Sequence, residues 1–174
     1  MKRWFAFAVV IILAVLLFIF IIGISSKAEK KYTAIYDLPQ KNPPQLIAKF
    51  FANFNFALAP QSKQAMEECF YPHPQIRKEF EIQYNKIVEK VDFKKFRPFL
   101  FHQVINENVG YSYSDGIQFI QCQLFFIPKT EEDIQFLSQP QVYIFKISKG
   151  PDGNWYFIDI SPLTIKFPPS YYYF

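Results

Sequence analysis

From Trp4 to Ile24 the chain runs 21 residues without a charged side chain. At about 1.5 Å per residue, a helix of that length crosses the ~30 Å hydrocarbon core of a bilayer. A cleaved signal peptide carries an apolar region of only about 7–15 residues, so the length favours an uncleaved signal anchor over residues 1–24. The alternative is cleavage near Ser25 or Ala28, where small residues stand, which would secrete the remainder. No Cys lies near the end of the run, so lipoprotein processing is not supported. Lys2 and Arg3 favour a cytoplasmic N-terminus, although Lys27, Lys30 and Lys31 weaken that charge rule. The expectation is a single-pass protein of the cell membrane, with residues 25–41 as a tether and the rest outside the cytoplasm.

Charge narrows the function classes further. Of 19 Lys and Arg, five stand among the first 31 residues, beside one of the 15 acids, Glu29. From Tyr32 onward, 14 basic residues face 14 acidic ones. A domain that reads nucleic acid needs a basic excess on its folded surface; this one has none, so no nucleic acid is expected as partner. Aromatic residues make up 20% of the chain, 22 of them Phe, and that much apolar area argues against disorder.

Hydrophobic spacing supplies the element order. Asn42 and Pro43 form a cap and first turn. Leu46, Ile47, Phe50, Phe51, Phe54 and Leu58 then repeat at helical spacing, and Pro60 stops the pattern. Ser62 is placed to cap a short second helix ended by Pro72 and Pro74. A third helix is expected from Gln75 to about Val91, with Ile76, Phe80, Ile87, Val88 and Val91 inward. Beyond Pro98 the period falls to two. "FLFHQVINEN" reads as a strand, and in "GIQFIQCQLFFI" Ile120, Cys122, Leu124 and Phe126 alternate with Gln121 and Gln123. Thr130 followed by Glu131, Glu132 and Asp133 marks a capped helical turn. "QVYIFKIS" places Tyr143, Phe145 and Ile147 on one face. After the turn residues Gly150 to Asn154, a last strand is expected with Tyr156, Ile158 and Ile160 as its inward set. Helices followed by an antiparallel meander make the fold class α+β: about three helices packed on a sheet of about four strands.

This order resembles the nuclear-transport-factor-like superfamily, which includes the SnoaL-like and ketosteroid-isomerase-like domains of cystatin-like α+β shape. The match covers roughly residues 42 to 165. Its most recognisable piece is "SKGPDGNWYFIDISP", a hairpin with Gly at the turn and Trp155 leading the last strand. The resemblance implies a domain over 42–167 whose strongly curved sheet wraps the first helix, followed by an aromatic tail over 168–174. Superfamily members with ligand cavities keep polar groups inside; here the inward positions read as Phe, Ile and Leu.

Candidate chemical groups are few. His73, between two prolines, reads as a loop residue, and His102 as a sheet histidine. Cys69 and His73 stand four apart, but Pro72 breaks any helix between them, so a metal site is not expected. Cys69 and Cys122 are either two buried thiols or one disulfide, which an extracytoplasmic location permits. Asp159 interrupts an apolar strand and is placed toward solvent or a cavity mouth; Asp115 precedes Gly116 in a turn. No nucleophile–base order and no phosphate-binding loop is present. No catalytic, cofactor-binding or metal residue is assigned, and no cofactor.

The expectation is a membrane-anchored, extracytoplasmic, non-catalytic interaction or binding module. It would meet the lipid bilayer through its N-terminal helix and a protein partner or a second copy through its domain. Two other readings stay open: an assembly component of a secretion or conjugation apparatus, and a ketosteroid-isomerase-like enzyme or small-molecule carrier with Asp159 or His102 facing a cavity. The tail "KFPPSYYYF" can fold back on the sheet, meet a partner, or touch the membrane interface.

Overall fold

Pro43 opens the first helix because a proline at that position loses no hydrogen bond. In the computed structural model, which describes residues 35–93, 101–106, 111–112 and 116–173, this helix α1 runs Pro43–Phe54. The Asn42 side chain caps it by accepting from the Gln45 N–H at 2.9 Å. Leu46, Ile47, Phe50, Phe51 and Phe54 are all buried, as the spacing predicts. The helix ends at Phe54, well before Pro60; consecutive turns follow, with the Phe56 and Ala57 N–H groups donating to Asn53 and Phe54.

Pro60 begins the next helix instead of ending the first. Helix α2 is Pro60–Glu67, with Ala59 at its cap and no side-chain cap bond. Ser62 is therefore not the expected cap; it lies inside the helix and is fully buried. Helix α3 is Pro74–Lys90, capped by His73. It buries Phe80 and Tyr84, four residues and one turn apart, while Ile76, Ile87 and Val88 are half-buried. Tyr84 was not in the expected inward set. Its hydroxyl donates to the Ala57 carbonyl, which lets a phenol enter the core with its polar end satisfied.

The strands are β1 (Phe101–Asn106), β2 (Tyr111–Ser112), β3 (Ile117–Phe125), β4 (Gln141–Lys149) and β5 (Trp155–Phe157), with α4 (Glu131–Phe136) between β3 and β4. They form an antiparallel sheet in the order β1-β3-β4-β5, and β2 also pairs with β3. The register sets Ile120 opposite Phe145, Cys122 opposite Tyr143 and Ile147 opposite Phe157. These residues share the face turned to α1, where Phe50 meets Phe157 at 5.3 Å and Phe51 meets Phe145 at 5.9 Å between ring centroids. Each Phe buried in this way contributes about 1.5–3 kcal/mol relative to exposure. The chain is thus α+β, with four helices among the described residues.

The final strand corrects the expected inward set. Phe157 is fully buried, whereas Tyr156, Ile158 and Ile160 are half-buried. The cause is register: Phe157 lies opposite inward-facing Ile147, and β5 ends there. Its far edge is taken by the Cys69–Tyr71 segment, since the Phe157 N–H donates to Cys69 and the Tyr71 N–H to Phe157. The turn before β5 needs Gly153, whose φ is +78°. It also needs Gly150, where a Cβ would stand 2.6 Å from the Tyr156 ring.

Both flanks of the expected domain are built into it. The compact unit begins at Tyr36. Gln40, inside the segment expected to be a tether, is buried, and its carbonyl accepts from the Trp155 N–H at 2.8 Å. At the other end Tyr171 is buried, and its hydroxyl donates to the Ile127 carbonyl at 3.0 Å. Tyr172 bridges Val91, and the Tyr173 N–H donates to Lys90. The tail "KFPPSYYYF" therefore folds back: its last residues meet the end of α3 and α4, and its first, Lys166, meets the sheet by donating its N–H to the Tyr143 hydroxyl of β4 at 3.0 Å. Residues 1–34, which include the expected membrane anchor, lie outside the described residues. No helix among the described residues is long and apolar enough to cross a membrane.

Candidate functional site

The residues singled out by sequence do not converge. His73 is exposed and serves α3, its Nδ1 accepting from the Gln75 N–H at 3.3 Å. Cys69 is fully buried, so the pair spaced four apart points in different directions. Cys69 and Cys122 are both free thiols. Burial pushes each up to about 12, far from reactive thiolate. His102 lies on the inward face of β1, stacked on Phe51 at 5.7 Å, and burial lowers its pKa. Asp159 is half-buried and accepts from the N–H and hydroxyl of Ser161, closing the turn at Ser161–Leu163. Asp115 lies outside the described residues. Among the described residues, no group of three or more His, Cys, Asp or Glu side chains is placed to hold a metal.

The space between α1 and the sheet is occupied by the rings of Phe50, Phe51, Phe145 and Phe157. Of the concavities that the described residues form on the outside, two bear on function. One is a polar cleft of about 280 Å³, built where the segment before α1, the α2–α3 corner and β5 meet. Lys49, Gln40, Glu68, Arg77, Asn154 and Tyr156 line it. Lys49 is unusual there: α1 carries it into a buried position, 7% exposed, with its ammonium 3.3 Å from the Glu68 carboxylate. Arg77 pairs with Glu67 at 3.2 Å. The sequence signal was legible in principle. Lys49 stands three residues after Leu46, on the edge of an otherwise apolar stripe.

The second concavity, about 400 Å³, is apolar. Phe125, Phe126, Pro128, Ile134, Leu137 and Pro140 contribute to it, between the end of β3 and α4. It adjoins the outer face of the sheet, where Phe125, Val142 and Ile144 are exposed, as is Ile105 beside the bulge in β1. Register sets Val142 opposite Gln123 and Ile144 opposite Gln121, so glutamines separate these apolar side chains.

A second polar centre is structural. Asp133 of α4 is fully buried. Its carboxylate accepts from the N–H groups of Lys129, Thr130 and Ser170 at 2.9, 3.2 and 3.0 Å, and from the Ser170 hydroxyl. Burial alone would raise its pKa; the bonds from Ser170 and the two loop amides outweigh that and hold it below the ordinary carboxylate value. The capping box with Thr130 follows from sequence, but its use to pin the tail does not, because Ser170 is 37 residues away. No protein-family model, no curated protein and no solved structure matches this chain.

Proposed function

We propose that this chain is a single-pass membrane-anchored protein whose domain lies outside the cytoplasm and acts as a non-catalytic interaction or binding module. The anchor rests on the 21 uncharged residues from Trp4 to Ile24. The observation that carries the interaction reading is the outer face of the sheet: Phe125, Val142 and Ile144 stand exposed on neighbouring strands, next to an apolar groove. A partner that covered these side chains together with the adjoining apolar groove would remove apolar area from water. The side of the sheet where a ketosteroid-isomerase-like enzyme would keep its cavity is filled by Phe rings, which favours a surface over a pocket. Membership of the nuclear-transport-factor-like superfamily is part of the proposal; helices followed by an antiparallel meander support it. A narrower form is an assembly component of a secretion or conjugation apparatus, which needs the same anchor and the same exposed face.

The test is association of the full-length chain in membranes. Carbonate washing should leave it in the membrane fraction, and photo-crosslinkers at residues 142 and 144 should trap a protein partner or a second copy. Release by carbonate, or crosslinks to neither, would overturn the reading.

A further inference from the structure

Between β3 and β4 the chain makes an excursion that the core barely holds. Of residues 127–140 only Asp133 is buried; Phe136 and Leu137 are half-buried and the others are exposed. Helix α4 sits in the middle of this excursion, so the one buried residue of the helix is a carboxylate. Ile134, the next residue, is 60% exposed. A surface helix is ordinarily fixed by an apolar face turned to the core; α4 fully buries no apolar side chain. It is also only six residues long, and isolated helices shorter than about 12–15 residues are marginal in water. A different contact must hold it in place.

That contact is the tail. Among the described elements, α4 packs chiefly on the turn Pro169–Tyr171. The Ser170 N–H and hydroxyl donate to the Asp133 carboxylate, and the Tyr171 hydroxyl donates to the Ile127 carbonyl. The tail has a seat of its own. Phe167 packs on Phe54, Phe93 and Phe126, the Asp92 N–H donates to the Tyr171 carbonyl, and the Tyr173 N–H donates to Lys90. The tail can therefore stay where α4 leaves it. At the other end of the excursion the Gln141 side chain ties the Phe136 carbonyl to the start of β4 at 3.3 Å. Helix α4 is also a wall of the apolar groove, with Ile134, Leu137 and Ser138 lining it across from Phe125 and Phe126. We infer that α4 and its flanking loops are a flap on the apolar groove, and that Ser170 is the clasp that holds the flap shut through Asp133. Opening breaks the bonds from Ser170 and Tyr171, unwinds α4 and widens the groove, while α1, the sheet and the tail stay folded. That the widened groove serves a contact rests on the interaction reading; the flap itself does not.

The experiment is amide hydrogen exchange of the full-length chain in detergent, read by NMR with no partner present. The N–H groups of Thr130, Asp133, Ile134, Leu137 and Ser170 should exchange through one shared opening in which the N–H groups of β3 and β4 take no part. Ser170→Ala removes only the hydroxyl. It should speed exchange across α4 by about tenfold or more, because a hydrogen bond to a charged group is worth at least that factor, and leave the sheet unchanged. Ser161→Ala, which takes the corresponding hydroxyl from Asp159, should leave α4 unchanged. A thiol placed on the groove wall by Leu137→Cys should be alkylated faster by a similar factor once Ser170→Ala is added, while buried Cys69 and Cys122 stay unreactive. Exchange of the α4 amides only together with the sheet, exchange in α4 that ignores Ser170→Ala, or a thiol at position 137 that reacts no faster would each overturn the flap. Crosslinking at residues 142 and 144 decides the interaction reading by itself, so either reading can fail without the other.

Discussion

The two faces of the sheet come from the same strands, alternating residue by residue, yet they have opposite fates. Toward α1, Ile120, Cys122, Phe145, Ile147 and Phe157 are fully buried. Away from it, Phe125, Val142 and Ile144 are exposed, spaced by glutamines. The outer face mixes Val142 and Ile144 with Gln121, Gln123 and Lys146, whereas those five inner residues are all apolar, and among the described residues only the inner face receives a second layer. One face receives α1 and becomes core. The other keeps Phe125, Val142 and Ile144 exposed, and it is the face that the proposed contact would cover. The lesson is that the same β-strand can be core and candidate interface at once, and the difference should appear as a gap in stability effects.

The largest expected effects test whether the inner face and the tail are one core. Deleting residues 168–174 removes buried Tyr171 and the Ser170 bonds to Asp133. The loss should be at least that of one large buried ring, about 3–5 kcal/mol, seen as a drop in the denaturation midpoint of the full-length chain. Phe157→Ala should cost a similar ~3–5 kcal/mol. Either variant melting like the parent would break the picture of a continuous aromatic core.

Asp133→Asn is next, at about 1–3 kcal/mol, because donors from Ser170 and the Lys129–Thr130 loop lose a charged acceptor. Its pH dependence has a definite sign. The folded value of Asp133 lies below 3.8, so its contribution is present above that pH and vanishes as the pH falls through the folded value. The parent should therefore lose stability faster than Asp133→Asn on acidification below pH 3.8.

His102 gives a smaller effect in a higher window. Burial lowers its pKa from 6.5, so the folded state resists protonation. Its cost is absent above pH 6.5 and grows as the pH drops from there toward the folded value. His102→Gln should flatten the thermal-melting profile between neutral and mildly acid pH. An unchanged profile would place another group in charge of that slope.

The smallest effect is the sharpest test of the comparison. Ile144→Ala on the outer face should change stability by no more than about 0.5 kcal/mol while weakening association in crosslinking. Ile158→Ala, half-buried, should fall between the faces at about 1 kcal/mol. If Ile144→Ala matched Phe157→Ala, the outer face would be covered core after all.

The helices and the three longer strands β1, β3 and β4 were legible because each depends on a local period. The α1 stripe, the β3 alternation and the Thr130 capping box are written in neighbouring residues. What failed was decided at a distance. Ser62 has the chemistry of a cap, but Pro60 already satisfies the start of α2. Tyr156, Ile158 and Ile160 alternate plausibly, but pairing with Ile147 turns Phe157 inward. Of the polar cleft only Lys49, on the edge of an apolar stripe, left a sign in the sequence; Gln40, Arg77 and Tyr156 come from three other segments that nothing local connects to it.

The sequence by itself determined the α+β order, the helical and two-residue periods, the even charge of the domain and the uncharged run at its start. Those properties live in spacing and composition, so no tertiary contact is needed to see them. Only the tertiary structure decided that Phe157 turns inward on the last strand, that the chain from Gln40 and the tail through Tyr173 join the domain, and which polar groups meet in a cleft. Each of those depends on bonds between residues far apart in sequence, such as Trp155 to Gln40 and Ser170 to Asp133, and a local pattern carries no record of a partner that only folding brings near.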